Sequence, residues 1–399
     1  MRIFTSDYIF PVVSDPIRDG YVMTDDEGYV LKMGAARELN PPALSVAEYF
    51  PGAIVPGFVN AHCHIELSHL RGAFKKGSGM SGFINQINAL RESVDRNGRI
   101  NALEAEMRSL YRQGVSAMAD ISNCDESFEC KSHSPMYTRT FIEVFGTDPA
   151  ETESIIEGAR ELAREAEEMD LDAAPTPHSC YTMCPELLQA ASVAGLKSGF
   201  LSYHSQESGQ EEELIRYGTG ELAENYKGRG LPTPPVTGGS ALKYFIDNLR
   251  KVLRSPIKGH VLLVHNVVID EESIDYAKEW LRSPYFAVCP LSNIFIHNQL
   301  PPLDLMREKG LKITIGTDSL SSNDSLCIVD EMKCIQDNFP SIPFAEILKW
   351  ATANGAEFLA KEDLLGSFEA GKKPGIVNIE GFDVQGMKLS EKSSSVRIL

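Results

Sequence analysis

Two histidines separated by one residue, in His62-Cys63-His64, directly follow the apolar run Ala53-Ile54-Val55-Pro56-Gly57-Phe58-Val59-Asn60-Ala61. In an extended strand, residues two apart project to the same face. A pair of imidazoles so placed, at the end of a buried strand, can grip one metal ion from one side. Alone the pair is a weak signal, and its weight depends on ligands elsewhere in the chain. His204 follows Gly199-Phe200-Leu201-Ser202-Tyr203, His265 ends Val261-Leu262-Leu263-Val264, and Asp318 ends Ile313-Thr314-Ile315-Gly316-Thr317. His62, His64, His204 and Asp318 make a set of three nitrogens and one oxygen that suits Zn²⁺, with Fe²⁺ as second choice. His265 is either a further ligand or a hydrogen-bond partner for the attacking hydroxide.

Each residue also has a plainer explanation. A strand-end histidine can be a hydrogen-bonded core residue, and Asp318 can cap the next helix. What favours a joint site is that all of them fall at the same end of strand-like runs. Glu207, in His204-Ser205-Gln206-Glu207, stands close enough to exchange a proton with a metal-activated water without ligating the metal. Alternatively it is a solvated loop acid, since Glu211-Glu212-Glu213 follows.

The elements that must position these residues are legible as alternating strands and helices. Strand candidates are Ile54–Val59, Ser116–Asp120, Thr138–Phe145, Leu171–Thr176, Phe200–His204, Val261–His265, Phe286–Cys289 and Ile313–Thr317. Helices are expected over Glu104–Gln113, Thr152–Met169, Pro185–Ala194 (stopped at Gly195) and Ser240–Leu253. Eight such units close an α/β barrel of the (β/α)₈ TIM type, with chemistry at the C-terminal ends of the strands. The first ~50 residues read as short strands, such as Tyr8–Val13 and Tyr29–Met33, and Ile376–Ile379 reads as another. The expected division is therefore residues 1–52 and 366–399 as two parts of a small β-sandwich, with residues 53–365 as the barrel. The long interval between His204 and His265 carries Pro232 to Pro235 and Gly238-Gly239. It is expected to form an extended loop, either covering the catalytic end or simply a tolerated surface insertion. The tail from Glu391 to Leu399 is mostly polar and is expected to be frayed.

Composition narrows the function classes. The formal charge of −18 disfavours binding of a nucleic acid, without excluding a small anionic ligand. No apolar run approaches the ~20 residues of a membrane span, and Met1 to Asp7 lacks a signal-peptide pattern. A cytoplasmic location without membrane attachment is expected. The eight cysteines contain no C-x-x-C pair and read as reduced thiols, which makes a cysteine-based zinc site unfavourable.

Pro56-Gly57-Phe58-Val59-Asn60-Ala61-His62-Cys63-His64, then His204-x-x-Glu207, His265, Cys289-Pro290-Leu291-Ser292-Asn293 and Gly316-Thr317-Asp318-Ser319, resembles the amidohydrolase superfamily. The match is to its mononuclear branch of cytosine, guanine and adenosine-type deaminases and chlorohydrolases. The resemblance implies a metal held by His62, His64, His204 and Asp318, proton transfer by Glu207, and assistance to the hydroxide from His265 and Asp318. Binuclear members bridge two metals with a carboxylated lysine on the fourth strand. Here Leu171-Asp172-Ala173-Ala174-Pro175-Thr176-Pro177-His178 contains no lysine, so one ion is expected.

Family deaminases use the position of His178 to hold substrate; otherwise it packs beneath the loop. Glu66, Ser68 and Arg71 follow the first metal motif and are expected to line the mouth of the site. Arg71 either pairs a substrate carboxylate or anchors its loop to a helix. Asn293 is expected to orient the loop after strand seven and is grouped with the substrate contacts. His297 and Asn298 depart from the glycine-containing stretch common at that point.

The expected activity is hydrolytic deamination of a small amino-substituted heterocycle. The stretch from Pro56 to Ser68 resembles aminodeoxyfutalosine deaminases, which implies a nucleoside-like aminopurine. A chlorohydrolase is the nearest rival, a cyclic-amide hydrolase is weaker without the lysine, and a catalytically silent scaffold is the alternative of another class. The family's habit of forming dimers makes a homodimer an expectation as well.

Overall fold

The computed structural model describes residues Met1–Leu399. Its strands are β1 (Arg2–Ile9), β2 (Ile17–Thr24), β3 (Val30–Ala35), β4 (Glu48–Pro56), β5 (Phe58–Cys63), β6 (Val115–Ser122), β7 (Tyr137–Val144), β8 (Asp172–Pro177), β9 (Phe200–Ser205), β10 (Ile257–His265), β11 (Leu281–Val288), β12 (Lys312–Ile315), β13 (Ile376–Glu380) and β14 (Ser394–Arg397). Two four-stranded parallel sheets, β5-β6-β7-β8 and β9-β10-β11-β12, carry the α/β core. Their strands are buried on both faces, as in Val261–His265, because helices cover the outside. The helix Thr152–Glu167 shows why: its buried Ile156, Ala159, Ala163 and Ala166 form one apolar stripe at helical spacing.

The two sheets abut at both edges. At one seam, His204 N donates to His178 O and Ser202 N to Thr176 Oγ1. At the other, Cys63 bridges Asp318, and Thr317 N and Asp318 N both donate to His62 O. Gly316 permits this approach. A Cβ there would meet the Cβ of His62 at 2.7 Å and its carbonyl oxygen at 2.8 Å. Asn60 reinforces the seam, donating to Thr317 Oγ1 at 2.8 Å and accepting from Thr317 N.

The chain ends pair in one six-stranded sheet of order β14-β13-β4-β1-β2-β3. Phe4, Ile9, Val22, Ile54, Phe368 and Ile376 belong to its small separate core. The expected strand Ile54–Val59 divides at Gly57: Ile54 to Pro56 pair with β13 in this sheet, and Phe58 onward belongs to the parallel core. Likewise the expected strand Tyr8–Val13 stops at Ile9, before Pro11 and a left-handed Val12. The tail is not frayed. β14 pairs with β13, and Arg397 donates to the carbonyls of Tyr111 and Val115. A polar composition concealed these long-range partners.

Gly195 does not stop its helix, which runs over Pro185–Lys197. It is a site of close packing, where a Cβ would lie 2.6 Å from Pro175 O. The interval after His204 holds helices Gly209–Tyr217 and Glu221–Gly228 besides the expected one, observed at Ala241–Val252. No helix is long and apolar enough to cross a membrane.

The β5–β12 seam generates a stability prediction. Gly316→Ala is expected to cost about 1–3 kcal/mol through overpacking against backbone, read as a lower urea midpoint with unchanged slope. A native midpoint would show that the seam opens without penalty.

Candidate metal centre and active site

Strand ends deliver the four candidate ligands to one place. His62 and His64 lie at the end of β5, His204 near the end of β9, and Asp318 just beyond β12. The Nε2 atoms of His62 and His204 stand 3.2 and 3.3 Å from His64 Nε2. Asp318 Oδ1 lies 3.9 Å from His62 Nε2 and 3.6 Å from His64 Nε2. The chain leaves the sheet abruptly to achieve this: Gln206, His265 and Asp318 have φ of 47°, 76° and 57°. Such left-handed backbone at residues other than glycine costs energy and persists only where the surroundings enforce it.

The electrostatics suit a cation. Burial, then the neighbouring His204 and His64, push His62 well below the ordinary histidine range. Burial, then His178, hold His204 down to about 3. These rings are therefore neutral and present lone pairs. His204 Nδ1 lies near His178 O and Glu143 Oε1, at 3.3 and 3.4 Å. A proton on Nδ1 satisfies those acceptors and leaves Nε2 free to ligate. Asp318 Oδ2 accepts from Ser292 Oγ at 2.6 Å and Ser322 Oγ at 2.8 Å, which leaves Oδ1 for the centre. Three imidazole nitrogens and a carboxylate oxygen, converging on one buried point, fit a divalent metal ion. Glu143, His178 and His204 also bring ligand atoms within 4.8 Å of one another. That grouping uses the opposite nitrogen of His204, which already faces a backbone carbonyl.

Glu207 is buried beside this centre. Burial alone would raise its carboxyl, but His265, His297 and His204 outweigh that and hold it at about 2. Glu211 fixes its backbone, accepting from Glu207 N at 2.8 Å and Gln206 N at 3.2 Å. Burial and Glu212 push Glu211 itself up to about 8. Asn293 Nδ2 donates to His265 Nδ1 at 3.1 Å, which places the His265 proton on Nε2, 3.8 Å from Glu207 Oε1.

These residues floor a cavity of roughly 500 Å³. Met80, Phe83, Ile84 and Ile87 of the helix Gly79–Leu90 form an apolar wall, while Tyr226 and Leu231 come from the insertion after β9. The insertion therefore does border the catalytic end.

The expected substrate contacts divide. His178 lines the cavity and stacks on His204, with ring centroids 4.5 Å apart. The other four do not line it. Glu66 is buried as a tie, accepting from Asn123 N and Ser127 Oγ. Ser68 Oγ donates to Ile65 O, and Arg71 is turned outward to Glu106 and the carbonyl of Asp324. Asn293 touches His265 instead. For Glu66 and Ser68 the reason lies in the turn Ile65–Leu70, a 3₁₀ helix that packs both side chains into the fold. Sequence reasoning missed Glu143, although an acid within Phe141-Ile142-Glu143-Val144 is itself a signal. It also missed the apolar wall and the serines holding Asp318.

Residues 53–394 match the amidohydrolase family. The chain is a member of that family. Among curated relatives, this amidohydrolase is 28% identical over 343 residues to an adenosine deaminase of Helicobacter pylori, covering 84% of this chain and 81% of the relative. Its fold is similar to that of a Helicobacter pylori aminofutalosine deaminase solved with methylthio-coformycin, with a TM-score of 0.82, 23% identity and full coverage of both chains. A zinc-bound atrazine chlorohydrolase from Arthrobacter aurescens also shares the fold, with a TM-score of 0.72, 16% identity, and coverage of 94% of this chain and 86% of that one.

Metal uptake tests the centre directly. Chelator-stripped amidohydrolase is expected to bind one equivalent of divalent metal and to gain about 4 kcal/mol at a thousandfold excess over Kd. His204→Ala and Asp318→Asn should each weaken uptake at least about tenfold. Native affinity in both variants, measured by calorimetry, would exclude this ligand set.

Proposed function

We propose that the chain hydrolytically deaminates a 6-aminopurine nucleoside, using one Zn²⁺ held by His62, His64, His204 and Asp318. We also propose that the two parallel sheets close into a (β/α)₈ barrel, with the chain ends forming a sandwich-like appendage. The observation that carries the reaction is Glu207, held beside the converging imidazoles at the floor of a largely apolar cavity. Deaminase relatives support the choice of leaving group.

When bound, the metal supplies a Lewis acid that makes water a competent nucleophile at neutral pH. Glu207 takes a proton from the attacking water and returns it to the heterocycle, from which ammonia departs. His265, with its proton on Nε2, offers a hydrogen bond to the charge that develops as water adds. Asp318 Oδ1 faces the same centre, and its orientation is fixed by Ser292 and Ser322. His178 presents a neutral ring edge to the substrate, since burial depresses it to about 3. The wall of Met80, Phe83, Ile84 and Ile87 suits an apolar substituent on the ribose 5′ carbon. At the mouth, Arg229 has no carboxylate partner and suits a substituent that ends in an anion, the part first expected of Arg71.

Ammonia release from adenosine, 5′-methylthioadenosine and a 5′-carboxyalkyl analogue tests this reading. The extended nucleosides should exceed adenosine by about tenfold in kcat/KM, which corresponds to burying ~50 Å² of apolar surface at roughly 25 cal/mol per Å². Chloride release from a chlorinated triazine, with no ammonia from any nucleoside, would sink the proposal. Glu207→Gln is expected to keep its metal and lose about 10²–10⁴ in kcat. A native rate in that variant would remove Glu207 from the reaction.

A further inference from the structure

The geometry around Glu207 points to a role for His297 that rests on the proton transfer proposed above. The Glu207 side chain makes no hydrogen bond within the protein, yet two imidazoles approach the same oxygen. His265 Nε2 lies 3.8 Å and His297 Nε2 3.7 Å from Oε1. They arrive from separate elements, the end of β10 and the last turn of the helix Pro290–His297. Asn298 follows in the left-handed region with φ of 54°, which ends that helix and fixes where the ring leaves it.

The His297 side chain is only 7% exposed, and its Nε2 is buried without a hydrogen-bond partner. A buried ring nitrogen in that condition is costly unless a charge compensates it. The carboxylate it faces is that of Glu207. Other titratable groups around Glu207 include His178 beyond β8, His204 on β9, Glu211 on the helix Gly209–Tyr217, Tyr181 and Cys289. His297 does not line the cavity, so its effect on a substrate must pass through Glu207.

We infer that His297 is a positioning residue: with His265 it holds Oε1 of Glu207, so that Oε2 is the atom that exchanges the proton. Two imidazoles that face one oxygen from different elements narrow the range over which the carboxylate can swing more than either alone would. Misplacing a proton-transfer group by a fraction of its reach lowers turnover more than it lowers affinity.

The test uses zinc-loaded full-length protein. His297→Leu should lower kcat by about ten- to a hundredfold with KM within about threefold, whereas His297→Gln, which keeps an N–H donor, should recover most of the rate. Placed in a Glu207→Gln background, His297→Leu should cost nothing further, because the group it positions is gone. Independently of substrate, the ¹³Cδ resonance of Glu207, assigned by its loss in Glu207→Gln, should move in His297→Leu and return in His297→Gln. A native kcat in His297→Leu, an undiminished loss in the double variant, or an unmoved resonance each overturns the inference. Absence of ammonia release by the native enzyme would instead sink the deaminase reading, and the resonance would still decide the contact between His297 and Glu207.

Discussion

Three buried imidazoles whose Nε2 atoms converge to 3.2–3.3 Å set the terms for the rest of the structure. Ring nitrogens brought this close in a buried site repel unless a proton or a cation lies between them. A cation turns that repulsion into ligation, so the same geometry that burdens the metal-free fold becomes binding energy when metal is present. His62 shows how little the fold compensates on its own, for its Nδ1 is buried with no hydrogen-bond partner. The protein has spent stability on a preorganised arrangement rather than relaxing it away.

That expense is carried by the seam between β5 and β12. Gly316 lets the strands approach, Asn60 ties them across the gap, and the His62 carbonyl accepts from both Thr317 and Asp318. The first and last ligand-bearing strands are thereby locked in register, although they are far apart in the chain. Behind them, Lys131 and Asp120 form a buried ion pair at 2.6 Å, and Asp120 also accepts from Ile65 N, immediately after His64. Breaking a buried pair strands a charge. This places a strong constraint directly under the first metal motif and accounts for the burial of Glu66 next to it.

How far the sequence reveals this depends on the kind of physical signal involved. The ligands were legible because strand ends and apolar runs are local, and alternation then fixes which way a side chain points. The two-residue spacing of His62 and His64 was enough to place them together. Most of the missed features are non-local. Nothing near Arg397 announces carbonyl partners at Tyr111 and Val115. Arg71 follows the metal motif in sequence, but the 3₁₀ turn carries it round to Glu106. Gly57 reads as part of a continuous strand, yet it divides two sheets, because an apolar run does not say which sheet each end will join. The helices Gly209–Tyr217 and Glu221–Gly228 were hidden by acidic composition, which describes their solvated faces better than their periodicity.

Net charge and local charge also part company at the site. A formal charge of −18 would repel an anionic substrate at long range. At physiological ionic strength, however, that field decays over about 8 Å, so a ligand inside the cavity senses chiefly the groups lining it. Glu92, one acid among those groups, is paired with Arg99. Arg91 donates to Asn123 and Arg229 lacks a carboxylate partner, so both retain positive charge at the rim. The floor is acidic through Glu207 and Asp318 until a divalent ion offsets it. Metal loading therefore does more than supply chemistry: it cancels the negative charge that Glu207 and Asp318 would otherwise present to a substrate at the bottom of the cavity.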